Sequence, residues 1–259
     1  MSDRPWLRGA GVLVTGAGGG IGRATCAAFA RSGATVVGAD LCDEWVGAVR
    51  DSLGEAGSSL SAVVADVTDS AALAAAVAEA ELRCGRLDVA VAGAGIQAVG
   101  SVEDTPEEVW RRVLDVNLTG TWLLCKHAVP ALRRAGGGTI LCLVSTVGLH
   151  PRADLGAYCV SKAGLAMLVR VLGREVAADG IRVVGACPTG TDTPLLWGMV
   201  DGFNDRAGGA PRPDAGLLAG KPVQRWLTAE EVAAALTWLT SPDALMVTGS
   251  NIPLDFASA

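Results

Sequence analysis

The chain has 259 residues, of which half are hydrophobic and 19% are charged, so it contains enough apolar material for a large buried core. Its net charge of −6 argues against nucleic acid or an anionic membrane as a partner, because both require a basic surface. A polar N-terminus and the lack of a long uncharged apolar run predict no signal peptide and no membrane span. Seven scattered cysteines without a Cys-x-x-Cys pair, and only two histidines, predict a reduced cytoplasmic protein without disulfides or a metal site.

A glycine-rich segment near the N-terminus has the form of a nucleotide-binding turn. The β-branched run at residues 12–14 leads into Thr15-Gly16-Ala17-Gly18-Gly19-Gly20-Ile21-Gly22, and a helical pattern follows at residues 23–31. Glycines let the backbone approach a pyrophosphate, and the unpaired N–H groups at the helix start face its negative charge. This order of elements predicts a dinucleotide site that includes Gly16, Gly20, Ile21 and Gly22.

The end of the next strand indicates which dinucleotide binds. A strand at residues 34–39 ends in Asp40, whose carboxylate can accept hydrogen bonds from both ribose hydroxyls and repels a 2′-phosphate. No basic residue follows closely, and Asp43 and Glu44 add negative charge. The sequence therefore predicts NAD as the cofactor. Asp43, which directly precedes the next helix, is expected to cap that helix.

Strands and helices alternate along the rest of the chain. The remaining strands are predicted at residues 60–65, 87–91, 139–144, 181–186 and 248–255. The remaining helices are predicted at residues 44–54, 70–84, 106–130, 154–178 and 228–239. Caps are expected at Asp69 or Thr68, at Thr105 before Pro106, and at Thr228. This alternation predicts an α/β fold: one doubly wound (Rossmann) domain over residues 1–259, with a parallel sheet of about seven strands and helices on both faces.

A segment rich in Gly, Pro and Asp at about residues 194–226 interrupts this pattern. Near its start it carries a cluster of apolar side chains, Leu195, Leu196, Trp197, Met199 and Phe203. Long irregular segments at the carboxyl edge of a sheet are usually functional. We therefore predict an irregular lid over the substrate in this segment.

The single tyrosine, Tyr158, precedes Lys162 by four residues, so the two side chains share one face of a helix. A free phenol ionises near pH 10, and an adjacent positive charge lowers its pKa enough for acid–base catalysis. Ser145 follows the strand at residues 139–144, at the edge where α/β folds bind ligands. Asn117 lies on an apolar stripe within a predicted helix, where its amide needs either a function or a backbone partner.

These residues, in this order and at this spacing, resemble the short-chain dehydrogenase/reductase family over nearly the whole chain. The resemblance rests on a set of motifs: Thr15-Gly16-x-x-x-Gly20-Ile21-Gly22, Asp66, Asn117, Ser145, Tyr158-x-x-x-Lys162 and the turn at Pro188.

The resemblance implies a catalytic tetrad of Asn117, Ser145, Tyr158 and Lys162. Tyr158 would take the hydroxyl proton of a secondary alcohol while hydride passes to nicotinamide, and Ser145 would hold the substrate oxygen. Lys162 would lower the pKa of Tyr158 and bind the nicotinamide ribose. Asn117 would hold a water that links Lys162 to solvent.

Further contacts are expected along the same crevice. The cofactor residues beyond the glycine turn and Asp40 would be Asp66 and Val67 near adenine, Gly93 near ribose, Tyr158 and Lys162, and Thr191 and Thr193 near the carboxamide. The substrate pocket would comprise Ser145, Gln97, Val147, His150 and Trp197. A lone loop histidine such as His150 is more often a surface residue, and the apolar cluster of the lid could equally be internal packing.

Two departures from the family pattern lie after the fourth strand and after the sixth strand. Asn-Asn-Ala-Gly is replaced by Ala92-Gly93-Ala94-Gly95, which removes two amides. The glycine after Pro188 is replaced by Thr189, which alters the turn or the adjacent pocket. Neither departure affects the tetrad.

The sequence therefore predicts an oxidoreductase that transfers hydride between NAD(H) and a secondary alcohol or ketone, cyclic or medium-sized and hydrophobic. A ketoreductase for carrier-bound 3-oxoacyl chains is an alternative, disfavoured by Asp40 and Asp179 but favoured by Arg133 and Arg134. A catalytically idle NAD-binding relative is a second alternative, disfavoured by the intact tetrad. From the apolar stripes of helices 106–130 and 154–178 we expect a homotetramer, as in many relatives.

Overall fold

The computed structural model describes residues 4–208 and 214–257. Part of the predicted lid, residues 209–213, lies outside the described residues. Seven parallel strands form one sheet in the order β3-β2-β1-β4-β5-β6-β7. Their bounds are β1 Gly11–Thr15, β2 Thr35–Asp40, β3 Leu60–Val64, β4 Val89–Ala92, β5 Gly138–Leu143, β6 Ile181–Pro188 and β7 Ser250–Leu254.

The described residues form eight α-helices, six of which cover the two faces of this sheet. Their bounds are α1 Gly20–Arg31, α2 Trp45–Leu53, α3 Ser70–Cys84, α4 Glu107–Leu114, α5 Gly120–Arg134, α6 Gly156–Val176, α7 Pro194–Ala207 and α8 Ala229–Leu239. One core layer packs α3, α5 and α6 on the sheet, and the other packs α1, α2 and α8 on its opposite face. Strands buried on both faces read as continuous apolar runs, as β1 does. The predicted doubly wound fold is confirmed.

The strand order reverses between β1 and β4. The chain runs outward from β1 to β2 and β3, and then crosses to the other side of β1 for β4. The loops after these strands diverge at that point, which opens a crevice at the carboxyl edge of the sheet.

Two predicted caps are confirmed and two are wrong. The Asp69 carboxylate accepts from the backbone N–H groups of Ala71 and Ala72 at the start of α3, and Thr228 forms a capping box with Glu231 at α8. Thr105 does not cap α4, because its hydroxyl donates to the Ser101 carbonyl. Asp43 does not cap α2, which begins at Trp45 without a side-chain cap.

The predicted helix at 106–130 is divided in two. A π-helical turn at Asp115–Thr119 separates α4 from α5, and it holds Asn117 fully buried. Beyond this turn, α5 continues past Pro130 to Arg134. The extra residue in a π turn changes which side chains face inward, so an amide on an apolar stripe reaches partners outside its own helix.

The prediction of an irregular segment from residue 194 is wrong at its start. Residues Pro194–Ala207 form α7, with Pro194 in the first turn and the Thr193 hydroxyl accepting from the Leu196 N–H. The pair Thr193-Pro194 is a helix-start signal, which the glycine and proline content farther along the segment obscured.

One stretch, Gly156–Asp179, is long and apolar enough to cross a membrane by length and composition alone. Half of its most apolar window is buried inside the protein. Because α6, which makes up most of it, packs on the sheet through Leu165 and Val169, its apolarity is accounted for by the core.

Candidate active site

A cavity of about 760 Å³ occupies the crevice at the carboxyl edge of the sheet. Its walls include residues at the ends of all strands from β1 to β6. It brings together most of the predicted site residues: Gly16, Gly20, Ile21, Gly22, Asp40, Asp66, Val67, Gly93, Ser145, Val147, Tyr158, Lys162, Thr191 and Thr193.

At Gly16, Gly20 and Gly22 the glycine turn lies against two other segments, and against its own backbone, with no space for side chains. Gly16 has a φ of +67°, and a Cβ there would lie 2.5 Å from the Ala94 nitrogen. A Cβ at Gly20 would lie 2.6 Å from the Thr193 side chain, and one at Gly22 would clash with the Gly16 carbonyl oxygen. The bare backbone at the start of α1 therefore forms a cradle that fits a pyrophosphate.

Asp40 ends β2 beside this turn. Its Oδ2 accepts from the Gly18 N–H and its Oδ1 from the Leu41 N–H, both at 2.7 Å. These bonds fix the carboxylate on the cavity wall, close to the phosphate cradle. An anion held there accepts from ribose hydroxyls and repels a 2′-phosphate, so the residues fit NAD.

Asp66 and Gly93 complete this half of the crevice. The backbone N–H and hydroxyl of Thr68 donate to Asp66 and hold the pKa of its carboxyl below the usual range. The Gly93 N–H donates to the carbonyl oxygen of Thr15 at 3.2 Å and to its hydroxyl at 3.3 Å. Backbone bonds thus link the loop after β4 to β1, although the two family amides are missing.

Tyr158 and Lys162 lie one turn apart on α6, as their spacing predicts. Both are buried, with exposures of 7% and 4%, and the Lys162 ammonium lies 5.7 Å from the Tyr158 ring centroid. Lys162 donates to the Leu143 carbonyl at the end of β5 at 2.7 Å. Ser145 follows that strand by two residues, so the end of β5 and the first two turns of α6 bring all three polar groups to the cavity wall.

Burial dominates the protonation of this pair. It raises the pKa of Tyr158 to about 12, and a hydrogen bond with Ser145 opposes that rise. It lowers the pKa of Lys162 to about 8. In the polypeptide itself the pKa of Tyr158 is therefore raised, not lowered as expected, because the phenolate loses its contact with water.

Asn117 lies behind the cavity wall and does not line it. Its Oδ1 accepts from the Ile96 N–H at 2.8 Å, and its Nδ2 donates to the Ile96 carbonyl at 2.9 Å and to the Ser161 hydroxyl at 3.0 Å. A Cβ built on Gly95 would lie within 3.5 Å of both Asn117 Oδ1 and Lys162 Nζ. The amide thus fastens the loop after β4 to α6 beside the lysine.

The cavity does not include three of the predicted substrate residues: Gln97, His150 and Trp197. His150 is exposed, and the Trp197 indole N–H donates to Asp192 at 2.8 Å outside the cavity. The Gln97 amide nitrogen instead lies 3.5 Å from a Cβ built on Gly198 of α7. The structure therefore does not place these three side chains in the cavity wall with Ser145 and Val147.

Several cavity residues escaped the sequence reasoning, among them Trp45, Arg152, Lys221 and Trp226. They come from a helix, a loop and the segment before α8, so no local pattern groups them. One signal was available for Lys221, which is one of only three lysines in the chain. Its ammonium donates to the Thr189 hydroxyl at 2.8 Å.

Comparison with known proteins places this site in a family. The family model described as short chain dehydrogenase matches residues 10–202. Cis-4-hydroxycyclohexanecarboxylate dehydrogenase of Sinomonas cyclohexanicum is 36% identical over 244 residues, covering 94% of each chain. 2-(S)-hydroxypropyl-CoM dehydrogenase 3 of Xanthobacter autotrophicus is 34% identical and covers 98% of each chain.

Solved structures agree with these relatives. An NAD+-bound xylitol dehydrogenase superposes with a TM-score of 0.89 at 26% identity, covering 97% of this chain and 99% of that one. The chain therefore belongs to the short-chain dehydrogenase family, and it is an NAD-dependent oxidoreductase that acts on CH–OH groups.

Proposed function

We propose that this dehydrogenase oxidises a medium-sized, partly hydrophobic secondary alcohol, cyclic or open-chain, with Asn117, Ser145, Tyr158 and Lys162 as its catalytic and positioning residues. The observation that carries the proposal is the buried Tyr158 phenol on the cavity wall, beside Ser145 and one turn before Lys162. A tyrosine in the core without such a function would have little reason to end in a cavity next to a buried lysine.

The reaction separates the alcohol into a proton and a hydride. NAD+, when bound, accepts the hydride at its nicotinamide ring. The Ser145 hydroxyl holds the substrate oxygen, and Tyr158 takes the proton from it. Lys162 has a pKa of about 8, which is above neutral pH, so its side chain is positively charged there. This positive charge favours the phenolate form of Tyr158.

Asn117 acts in this proposal as a positioning residue. Its bonds to Ile96 and Ser161 hold the loop after β4 against α6. Because Lys162 directly follows Ser161, these bonds also help to position the lysine. The water that the family resemblance assigns to Asn117 remains a prediction.

Apolar side chains around the catalytic wall support a hydrophobic part in the substrate. They are Leu155, Leu196, Met199, Leu217 and Trp226. Relatives act, by name, on a hydroxycyclohexanecarboxylate, on meso-2,3-butanediol and on D-threitol. A ring or a short carbon chain fits both observations.

A reductase of carrier-bound 3-oxoacyl chains is the second candidate. A 3-ketoacyl-(acyl-carrier-protein) reductase from Brucella melitensis, complexed with NADH, has a TM-score of 0.85 at 30% identity. Docking of an acidic carrier needs free basic groups, but Arg133 pairs with Asp179 at 2.7 Å and Arg134 with Glu81 at 2.6 Å. These pairs favour a free small-molecule substrate.

We also propose a cytoplasmic homotetramer. The seven free cysteines support the compartment, and an apolar surface on α5 and α6 supports the assembly. Trp122, Val160, Met167 and Val171 are each 45–53% exposed on these helices.

We expect sedimentation at four times the monomer mass for the wild type, and a smaller species for Met167→Glu. Leu82→Glu on the exposed face of α3 is the control, and a wild-type monomer would contradict the assembly.

Asp40 should decide the cofactor. We expect kcat/KM with NAD+ to exceed that with NADP+ at least about tenfold, and Asp40→Ser to narrow this ratio because it removes the charge that repels the 2′-phosphate. Steady-state kinetics with both cofactors measures this. Asp43→Ser removes a nearby exposed charge that is not on the cavity wall and should leave the ratio unchanged. Equal use of both cofactors by the wild type would contradict the assignment.

Tyr158→Phe should keep the ring and lose the proton acceptor. We expect kcat to fall at least about a thousandfold, in the upper range for the loss of a general base. NADH binding, followed by fluorescence, should stay close to that of the wild type, since the ring still fills the wall. A variant that binds NADH and turns over at the wild-type rate would rule out Tyr158 as the base.

Lys162→Met should abolish turnover and yet stabilise the protein at pH 7. The unfolded lysine has a pKa near 10.5 and the folded one about 8, so the cost of burying its charge is complete below pH 8. We expect the free energy of unfolding to rise by about 1–3 kcal/mol at pH 7. This range allows for the hydrogen bond from Lys162 to the Leu143 carbonyl, which the variant loses. The difference should shrink as the pH rises from 8 towards 10.5, because the wild-type lysine then loses its proton.

Urea denaturation of both proteins across this pH range measures the effect. Lys126→Met removes an exposed lysine and is the control, with no expected dependence in this range. A Lys162→Met protein that is less stable than the wild type at pH 7 would show that the lysine contributes more by its hydrogen bond than its burial costs.

A further inference from the structure

Among the described residues, four basic side chains line the cavity besides Lys162, and two of them, Arg23 and Arg112, lie near the glycine turn and Asp66. The other two have no role in hydride or proton transfer. They are Lys221, from the segment before α8, and Arg152, from the loop before α6. Both lie in the half of the cavity that also contains Ser145 and Tyr158. Their charges therefore bear on what the substrate carries besides its hydroxyl group.

Lys221 is held at the cavity by the residue that departs from the family pattern. Its ammonium donates to the Thr189 hydroxyl at 2.8 Å. Thr189 is itself fixed, because its N–H donates to the Leu254 carbonyl at 3.0 Å and its carbonyl accepts from the Thr191 hydroxyl at 3.0 Å. An ammonium has three N–H donors, and the described residues accept only this one within hydrogen-bond distance. A glycine at 189 would offer the lysine no such anchor.

Arg152 is held by an aromatic ring. Its guanidinium carbon lies 5.1 Å from the centroid of Phe203, which packs against the buried cluster of Leu155, Tyr158 and Cys159. No carboxylate lies within 4 Å of this guanidinium among the residues that the structure describes, and nearby Asp154 pairs with Arg206 at 3.0 Å. The charge of Arg152 is therefore positioned by stacking and is not neutralised by an ion pair.

Charges are distributed unevenly along the cavity. Its acidic wall residues, within the described chain, are Asp40 and Asp66, which follow β2 and β3 at one side of the sheet. Lys221 lies on the other side, beyond β5, since its anchor Thr189 follows β6.

The region around Lys221 carries excess positive charge. Burial lowers the pKa of Lys221, and the charge of Arg152 lowers it further, whereas Asp255 opposes this shift. An anion placed between the two cations would relieve their repulsion and gain charge-assisted hydrogen bonds.

We propose that the substrate is a secondary alcohol, or the corresponding ketone, that also carries an anionic group, a carboxylate or a sulfonate, bound by Lys221 and Arg152. This inference rests on the proposed function, since Ser145 and Tyr158 hold the reacting oxygen. The Ser145 hydroxyl lies 3.5 Å from the Pro188 carbonyl, and the next residue, Thr189, anchors Lys221. One compact substrate can therefore place its hydroxyl at Ser145 and its anionic group at Lys221. The cofactor pyrophosphate has its own cradle at the start of α1 and leaves these cations available.

Matched substrates test the proposal. We would measure kcat/KM with NAD+ for 4-hydroxycyclohexanecarboxylate, for its neutral carboxamide and for cyclohexanol, and for 3-hydroxybutyrate against 3-hydroxybutyramide. A sulfonate arm uses 2-hydroxypropane-1-sulfonate against 2-butanol. We expect an anion to exceed its neutral counterpart at least about tenfold, the factor for about 1.4 kcal/mol, mainly through a lower KM.

Three variants connect this preference to the named residues. Lys221→Met and Arg152→Met should each move the anion-to-neutral ratio towards one. Thr189→Val removes the hydroxyl and keeps the shape, so it should reduce the ratio by a smaller factor. Arg31→Gln removes an exposed charge near the end of α1 and should keep the wild-type ratio, which controls for net charge.

The outcomes separate the two proposals. No hydride transfer to any of these alcohols would count against the proposed function. Turnover of cyclohexanol and 2-butanol with no preference for the anions would overturn only the anion site. The anion site would also be overturned if Lys221→Met lost NAD+ binding by calorimetry, since the lysine would then serve the cofactor, or if each variant lowered both members of a pair equally.

Discussion

The site depends on one buried interaction, the bond from the Lys162 ammonium to the Leu143 carbonyl. It ties α6 to the end of β5 and keeps a charged group inside the protein next to the only phenol in the chain. Burial works against the charged forms of both side chains, raising one pKa and lowering the other. The acid–base groups are thus in place, but their protonation depends on the charges of the bound ligands. The distribution of charge over the rest of the cavity then determines which ligands bind.

The sheet topology contributes to that distribution. Because the strand order reverses between β1 and β4, the residues that follow β2 and β3 lie on one side of the crevice and those that follow β5 and β6 on the other. The acidic groups lie on the first side, where ribose hydroxyls are expected, together with Arg23 and Arg112. Arg152 and Lys221 lie on the second side, beside the reacting oxygen, where no acidic residue lines the described wall. The net charge of −6 does not indicate this arrangement, because composition contains no information about where the fold places each charge.

The differences between expectation and structure have physical causes that recur. Thr105 and Asp43 each have a residue type suited to a helix cap, but Thr105 bonds to the preceding turn instead and α2 starts without any side-chain cap. The long helix predicted at 106–130 is interrupted by a π turn, in which the Asn117 amide bonds to Ile96 outside the helix. A polar side chain of this kind can bond to more than one nearby backbone group, and the partner it takes depends on the packing around it.

The sequence by itself determined what short-range spacing can encode. The glycine turn, the acid after β2 and the four-residue step from Tyr158 to Lys162 follow from local backbone geometry, and their order along the chain led to the doubly wound fold and NAD. Only the tertiary structure decided that Gln97, His150 and Trp197 lie off the cavity and that Arg152 and Lys221 lie in its wall. Lys221 meets Thr189 across 32 residues that include α7, and no periodicity in the chain records such a contact. Contacts of this kind arise when separate elements pack on one sheet, so they can be read only from the folded protein.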